Sequence, residues 1–209
     1  MSEHTLDFEQ IYAESRPMIY RYLTRLAGTD EAEDLTQETF IRVNQSLSTF
    51  NSQSSISTWI YQIATNLATD RLRSRAFRQE AVTVHGVDPG HSQSPPCAGR
   101  QPSTEDQLIR KEMNECIQSY VGFLPDNYRT VLILSELEGF KNSEIAAILG
   151  LSLATVKIRL HRAKEKLRRE LAANCTFYRT DCNQLACEPK GPIRKQVRPL
   201  AAKKTPIKK

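Results

Sequence analysis

The chain has 209 residues, of which 39% are hydrophobic and 25% are charged, and its formal net charge is +5. This balance is typical of a globular protein with one large or two small domains and excludes an intrinsically disordered chain. The acidic amino terminus has no apolar run, which argues against a signal peptide, and no stretch approaches the about 18 apolar residues of a membrane span, so we expect a cytoplasmic protein.

Apolar residues at helical spacing predict three helices in the first part of the chain. The first covers residues 8–26, with Pro17 expected to interrupt it and Gly28 to end it. The second, residues 30–47, is acidic at its start, which complements the positive end of the helix dipole. The third, residues 57–76, ends in a run of arginines.

The third helix combines aromatic side chains, amides and a basic end. Trp59 and Tyr61 supply rings, and Gln62 and Asn66 supply amides. Rings stack on unpaired bases, amides bind base edges and arginines hold phosphates, so the helix suits single-stranded nucleic acid. The alternative for Trp59 is a place in the hydrophobic core.

A composition break separates this part from the rest. Residues 84–102 are rich in Gly, Pro, Ser and His and predict a linker. Helices resume near Ser103, Leu124-Pro125 breaks the first of them, and residues 128–137 predict another. We predict no strand, and the helical pattern ends after about Ala173.

Residues 142–171 predict a helix-turn-helix. Ser143 is expected to cap a short helix, Gly150 to turn the chain and Ser152 to cap a long helix with one apolar and one cationic face. Such a helix suits a DNA major groove. An ordinary amphipathic pair with a solvated basic face is the alternative, but the capped turn, the glycine and the one-sided charge together favour DNA binding.

The predicted fold class is all-α, with two small helical domains, a flexible linker and a cysteine-bearing extension. The corresponding ranges are 5–79, 80–103, 104–172 and 173–209.

Three ordered blocks carry a family resemblance: DEAEDLTQETFIRVNQSLSTF, STWIYQIATNLATDRLRSR and LPDNYRTVLILSELEGFKNSEIAAILGLSLATVKIRLHRAKEKL. Through them the chain resembles an extracytoplasmic-function (ECF) sigma factor of the sigma-70 family over residues 8–171. The resemblance implies a protein that binds core RNA polymerase through the β′ clamp helices and the β flap and directs promoter recognition and transcription initiation. An anti-sigma factor is a further candidate partner.

The resemblance also assigns residues to three surfaces, which are the regions binding polymerase, the −10 element and the −35 element. The implied polymerase-binding positions are Asp34, Gln37, Glu38, Arg42 and Asn44. With the aromatic and amide residues of the third helix, the −10 set is Asn51, Ser55, Trp59, Gln62, Asn66, Asp70, Arg71, Arg73 and Arg75. The −35 set is Lys157, Ile158, Arg159, His161, Arg162 and Lys164. For His161, a DNA contact is favoured over a core or metal role.

The family resemblance explains the cysteines of the chain least. Cys175, Cys182 and Cys187 lack the close spacing of a structural zinc site, so they are either free thiols or, with Cys97 of the linker, a cluster that binds a soft metal such as zinc or copper or senses redox state. Cys116 is expected in the core. No cofactor is expected to be required.

The sequence contains no catalytic constellation, so we expect no enzyme. Two other functions stay open at this stage: a stand-alone duplex-DNA regulator, and an adaptor that holds an inhibitory partner. The acidic second helix and the aromatic-amide third helix favour the sigma factor over the regulator. The tail, residues 190–209, has eight cationic residues and no acid, and it either adds non-specific DNA affinity or only keeps the chain soluble.

Overall fold

The computed structural model of the protein describes residues 7–51, 54–77, 104–179 and 185–190. The helices are α1 Phe8–Ala27, α2 Thr29–Ser46, α3 Ile56–Phe77, α4 Thr104–Gly122, α5 Asp126–Leu132, α6 Asn142–Leu149 and α7 Leu153–Asn174. A 3-10 turn, Leu47–Thr49, follows α2, and a π-helical turn, Ile133–Leu137, follows α5. None of the described helices is both long and apolar enough to cross a membrane.

Helices α1, α2 and α3 pack around one core. Ile19, Leu23, Leu35 and Ile60 are fully buried there, as their helical spacing predicted. Pro17 lies inside α1, yet the helix continues to Ala27. The predicted interruption is therefore not a break in the helix.

Helices α4 to α7 form the second half. The helix predicted over residues 128–137 begins earlier, at Asp126, and changes to the π-helical turn at Ile133. Leu124 and Pro125 separate α4 from α5, as predicted. The predicted linker, residues 84–102, lies outside the described residues.

The helix-turn-helix prediction is confirmed, with one correction. Gly150 adopts the left-handed conformation, φ 60°, after α6, and the Ser152 hydroxyl accepts the Thr155 N–H at the start of α7. Ser143 is not the cap of α6, because the helix already begins at Asn142. Instead, the Glu144 carboxylate accepts the Lys141 N–H at 2.8 Å.

The prediction of no strand is wrong for the extension. Strands β1 Cys175–Arg179 and β2 Leu185–Pro189 form an antiparallel hairpin with Phe177 opposite Cys187. Cys175 and Ala186 are buried, so contact with the helices stabilises strands that are too short to persist alone. The all-α class holds for both domains, and the hairpin is an addition to it.

Candidate nucleic-acid interface

Helix α7 divides into a buried and an exposed face. Val156 and Ala163 are fully buried on one face, with Leu160 and Leu167 packed beside them. The exposed positions are Lys157, Ile158, His161 and Arg162, whereas Arg159 is half-buried. The structure therefore presents most of the predicted −35 residues together on the surface of one rigid helix.

Lys164 is exposed but paired. Its Nζ lies 2.8 Å from the Glu136 carboxylate of the π-helical turn. Hydrogen bonding to Lys164 holds the pKa of Glu136 below its usual range. Lys164 thus joins α7 to the preceding turn, so it would have to exchange Glu136 for a phosphate on binding DNA.

The start of α3 combines a capped end with an aromatic pair. The Ser55 hydroxyl accepts the Thr58 N–H at 3.1 Å, which satisfies one free donor of the helix end. Trp59 is half-buried, and its ring centroid lies 5.1 Å from that of Phe50. Trp59 therefore packs on a neighbouring ring and still keeps part of its surface accessible. Gln62, one turn further on, is half-buried.

The basic end of α3 is only partly available for binding nucleic acid. Asn66, Asp70 and Arg73 are exposed, but the Arg71 guanidinium lies 2.8 Å from Glu31 and 3.7 Å from Glu38 of α2. Arg71 therefore ties α3 to α2. The Arg75 side chain lies outside the described residues, and Asn51, ahead of the helix, is exposed.

The predicted polymerase-binding residues line the outer face of α2. Asp34, Gln37, Arg42 and Asn44 are exposed, and Glu38 is half-buried beside Arg42 and Arg71. Ile41 lies among them and is 57% exposed. A large apolar side chain surrounded by charged and polar ones is typical of a protein-binding surface.

The two halves are joined by a buried clasp, defined as Arg25, Tyr61, Glu138 and Phe140. Glu138 follows the π-helical turn, and its carboxylate accepts from Arg25 at 2.8 Å and from the Tyr61 hydroxyl at 2.8 Å. The Phe140 ring meets Tyr61 edge-on at 4.7 Å. Burial and the Glu138 carboxylate raise the pKa of Tyr61, so its hydroxyl stays a donor.

Three cysteines lie in or beside the hairpin. Cys116 is on α4, which contacts β2, and Cys175 and Cys187 are on the two paired strands. Burial raises the pKa of Cys116 to about 11 and also raises that of Cys187. In the part of the chain that the structure describes, no group of three or more His, Cys, Asp or Glu residues is arranged to hold a metal ion. Cys97 and Cys182 lie outside it.

Sequence reasoning missed the clasp, the exposed Ile41 and the place of Cys116 beside the hairpin. Ile41 could have been found, because it falls four residues after Gln37 and seven after Asp34 on one helix face. The partners of Glu138 and the hairpin beside Cys116 lie far away in sequence, and no local pattern indicates them.

Both halves of the chain match known protein families. The family described as Sigma-70 region 2 matches residues 11–78, and Sigma-70, region 4 matches residues 114–167. The chain is 34% identical over 175 residues to the ECF RNA polymerase sigma factor SigW of Bacillus subtilis, covering 79% of this chain and 87% of that protein. It is 33% identical over 166 residues to the ECF RNA polymerase sigma factor SigE of Mycolicibacterium smegmatis, covering 79% of this chain and 62% of that protein.

Solved structures agree with the fold. The sigma factor RpoE in complex with the anti-sigma factor NepR, from Bartonella quintana, has a TM-score of 0.58 and 24% identity, covering 79% of this chain and 97% of that chain. CnrH in complex with the cytosolic domain of CnrY has a TM-score of 0.55 and 24% identity, covering 79% and 88%.

Proposed function

The chain belongs to the sigma-70 family as an ECF sigma factor, and from this we infer which of its surfaces carry promoter recognition. As a sigma factor it binds core RNA polymerase and acts in transcription initiation. We assign the −35 element to the exposed face of α7, the −10 element to α3 with the loop before it, and polymerase to the outer face of α2.

The observation that carries this assignment is the separation of charge between two exposed helix faces. Lys157, His161 and Arg162 stand on α7 with no acid among them, which suits duplex DNA. The α2 face carries Asp34 and Glu38 around Ile41, and its cation Arg42 is paired with Glu38, so this face offers no excess of positive charge to phosphates. One face is thus built for nucleic acid and the other for protein.

Ile41→Asp is expected to weaken binding to core polymerase by roughly ten- to a hundredfold. A buried isoleucine contributes about 1.5–3 kcal/mol, and an exposed one contributes this only when a partner covers it. The measurement is the affinity of the purified chain for core polymerase, followed by run-off transcription from a cognate promoter.

Met18→Asp is the matched control, since Met18 is also an exposed apolar residue, at 39%, but lies on α1. It should leave polymerase binding unchanged. Equal losses in both variants, or none in Ile41→Asp, would remove α2 from the polymerase interface. Failure of the wild-type chain to co-purify with core polymerase would instead favour a stand-alone DNA regulator.

An apolar groove on the second half is the surface we assign to the β flap. Its volume is about 610 Å³, and Ile117, Leu132, Leu137, Leu167 and Phe177 are among its lining residues. Glu136 and Lys164 also line it, so the groove is mainly apolar with a charged pair. Because the solved sigma factor RpoE is in complex with the anti-sigma factor NepR, an inhibitory partner is a second candidate for the exposed faces of this chain.

Regulation by a soft metal ion, such as zinc or copper, is a further part of the proposal. Cys175 and Cys187 are on paired strands of one hairpin, which supports it, and thiolates are the ligands that such ions prefer. Cys182 and Cys97 are the residues that would complete the ligand set. DNA recognition itself requires no cofactor in this proposal.

The metal proposal predicts that zinc or copper changes run-off transcription by the wild-type holoenzyme but not by a Cys175, Cys182, Cys187→Ser triple variant. The Cys116→Ser variant serves as the control, because Cys116 is not in the proposed ligand set. An unchanged metal response in the triple variant would end the proposal, and direct metal titration of the full chain would show it independently of transcription.

A further inference from the structure

Ile158 is a large apolar side chain on the exposed face of α7. It is 52% exposed, although isoleucine is a residue type that folding usually buries. Successive residues of an α-helix are rotated by about 100°, so Ile158, two residues after Val156 and five before Ala163, points away from both of these buried residues. Ile158 therefore stands near the centre of the exposed face of α7 rather than at its edge.

The side chains around Ile158 can all donate hydrogen bonds. Lys157 precedes it, and His161 and Arg162 follow it by three and four residues, which places them beside it on the helix surface. All three are exposed. Ile158 has neither a donor nor an acceptor in its side chain, so it cannot bind a phosphate or the polar edge of a base as its neighbours can.

These surroundings favour DNA over a protein as the molecule that covers Ile158. The exposed Ile41 lies near Asp34 and Glu38, whereas Ile158 lies next to Lys157 and Arg162. A cationic rim attracts the phosphate backbone, and an apolar side chain at its centre gains from binding only if it meets an apolar group. The major groove offers one such group, the C5-methyl of thymine, whereas the other bases are distinguished there by their donors and acceptors.

We propose that Ile158 makes α7 specific for thymine, because it buries the C5-methyl group of one thymine of the −35 element. The inference rests on the proposed assignment of that element to α7, and it names the base that this residue reads. Ala154, one turn earlier, is exposed and small, so it leaves room for the base edge beside Ile158. Lys157 and Arg162 then bind the phosphates and polar base edges on either side.

The experiment compares promoters that differ by single methyl groups. Binding-site selection with the wild-type holoenzyme first gives the −35 sequence. Each thymine of that element, on either strand, is then replaced by deoxyuridine, which keeps the base pair and lacks only the methyl group. We expect one replacement to weaken holoenzyme binding about fourfold, the value of one buried methyl group, and replacements in the spacer to have no effect.

Ile158→Ala should remove the response to the methyl group. Its holoenzyme should bind the thymine promoter at least about fourfold more weakly than the wild type, and the deoxyuridine replacement should then weaken binding no further. Leu153→Ala is the matched control. Leu153 is also an exposed apolar residue of α7, at 43%, but it lies three residues before Val156 and so on the side of the buried face. This variant should keep the full response to deoxyuridine.

Three results would overturn the inference. They are a wild-type holoenzyme whose binding no replacement changes, an Ile158→Ala holoenzyme that responds as the wild type does, and a loss of core polymerase binding in Ile158→Ala, which would show that a protein covers this residue. In each case Arg162→Ala would still lower the preference for the −35 element, so the proposed function would stand. If Arg162→Ala leaves that preference unchanged, the assignment of α7 fails and the inference fails with it.

Discussion

Glu138→Ala is expected to separate the two halves of the protein. The Glu138 and Arg25 side chains are 2% and 9% exposed, and the carboxylate also accepts from Tyr61. Removing one partner of a buried ion pair costs about 3–5 kcal/mol, because the remaining charge stays desolvated. Here Arg25 can regain water only if the halves move apart. We therefore expect the cost to appear as loss of packing between the halves rather than as unfolding of either one.

The measurements are the radius of gyration in solution and the thermal unfolding profile. The variant should be larger than the wild type, and a single transition should divide into two as the halves unfold independently. Glu138→Gln keeps an acceptor for Tyr61 but loses the charge, so its effect should be smaller.

Glu136→Ala is the matched control for the clasp. Glu136 lies two residues away and also pairs with a cation, Lys164, but the two side chains are 44% and 46% exposed. A surface pair of this kind contributes about 0–1 kcal/mol, so this variant should keep the wild-type dimensions. If Glu138→Ala kept them as well, the clasp would not hold the halves together.

Arg162→Ala and Lys157→Ala should each weaken promoter recognition by about 1–3 kcal/mol, the usual value of a specific contact to a base edge. Both residues are exposed on α7 and neither belongs to the buried face. The fold and the affinity for core polymerase should therefore be unchanged. The measurement is holoenzyme binding to a promoter and to the same promoter with a scrambled −35 element. The variants should lose most of the difference between the two.

Arg169→Ala provides the comparison on the same helix. Arg169 is 72% exposed and paired with Glu165 at 2.9 Å, nearer the carboxyl end of α7. It should change the salt dependence of binding slightly and leave the preference for the −35 element intact. If Lys157→Ala and Arg162→Ala also abolished polymerase binding, α7 would have a role other than DNA recognition.

The surfaces proposed for polymerase and for DNA stay accessible while the clasp joins the two halves. Residues of the clasp come from α1, α3 and the loop before α6, whereas α2 keeps Ile41 exposed and α7 keeps Arg162 exposed. Polymerase can therefore meet α2 while the halves are still joined. If the halves separate on promoter binding, the free energy of that binding has to offset the loss of the buried Arg25–Glu138 pair.

The sequence by itself determined the helices, the helix-turn-helix and the family. Apolar spacing, the Gly150 turn and the Ser152 cap are interactions over a few residues, so a local pattern reports them. Some helix boundaries differ from the predicted ones, because tertiary packing also decides where a helix ends. The helix after Pro125 changes to a π-helical turn at Ile133, a position that no local preference indicates.

Only the tertiary structure decided the clasp, the position of Cys116 and the hairpin. Arg25 and Glu138 are 113 residues apart, and their pairing depends on the burial of one half against the other. Cys116 lies beside the hairpin because α4 contacts β2. Thr176, Phe177 and Tyr178 do favour a strand, but five residues gain a stable partner only when the chain returns beside them. Contacts between distant segments follow from how whole elements pack, and that information is not present in any short stretch of sequence.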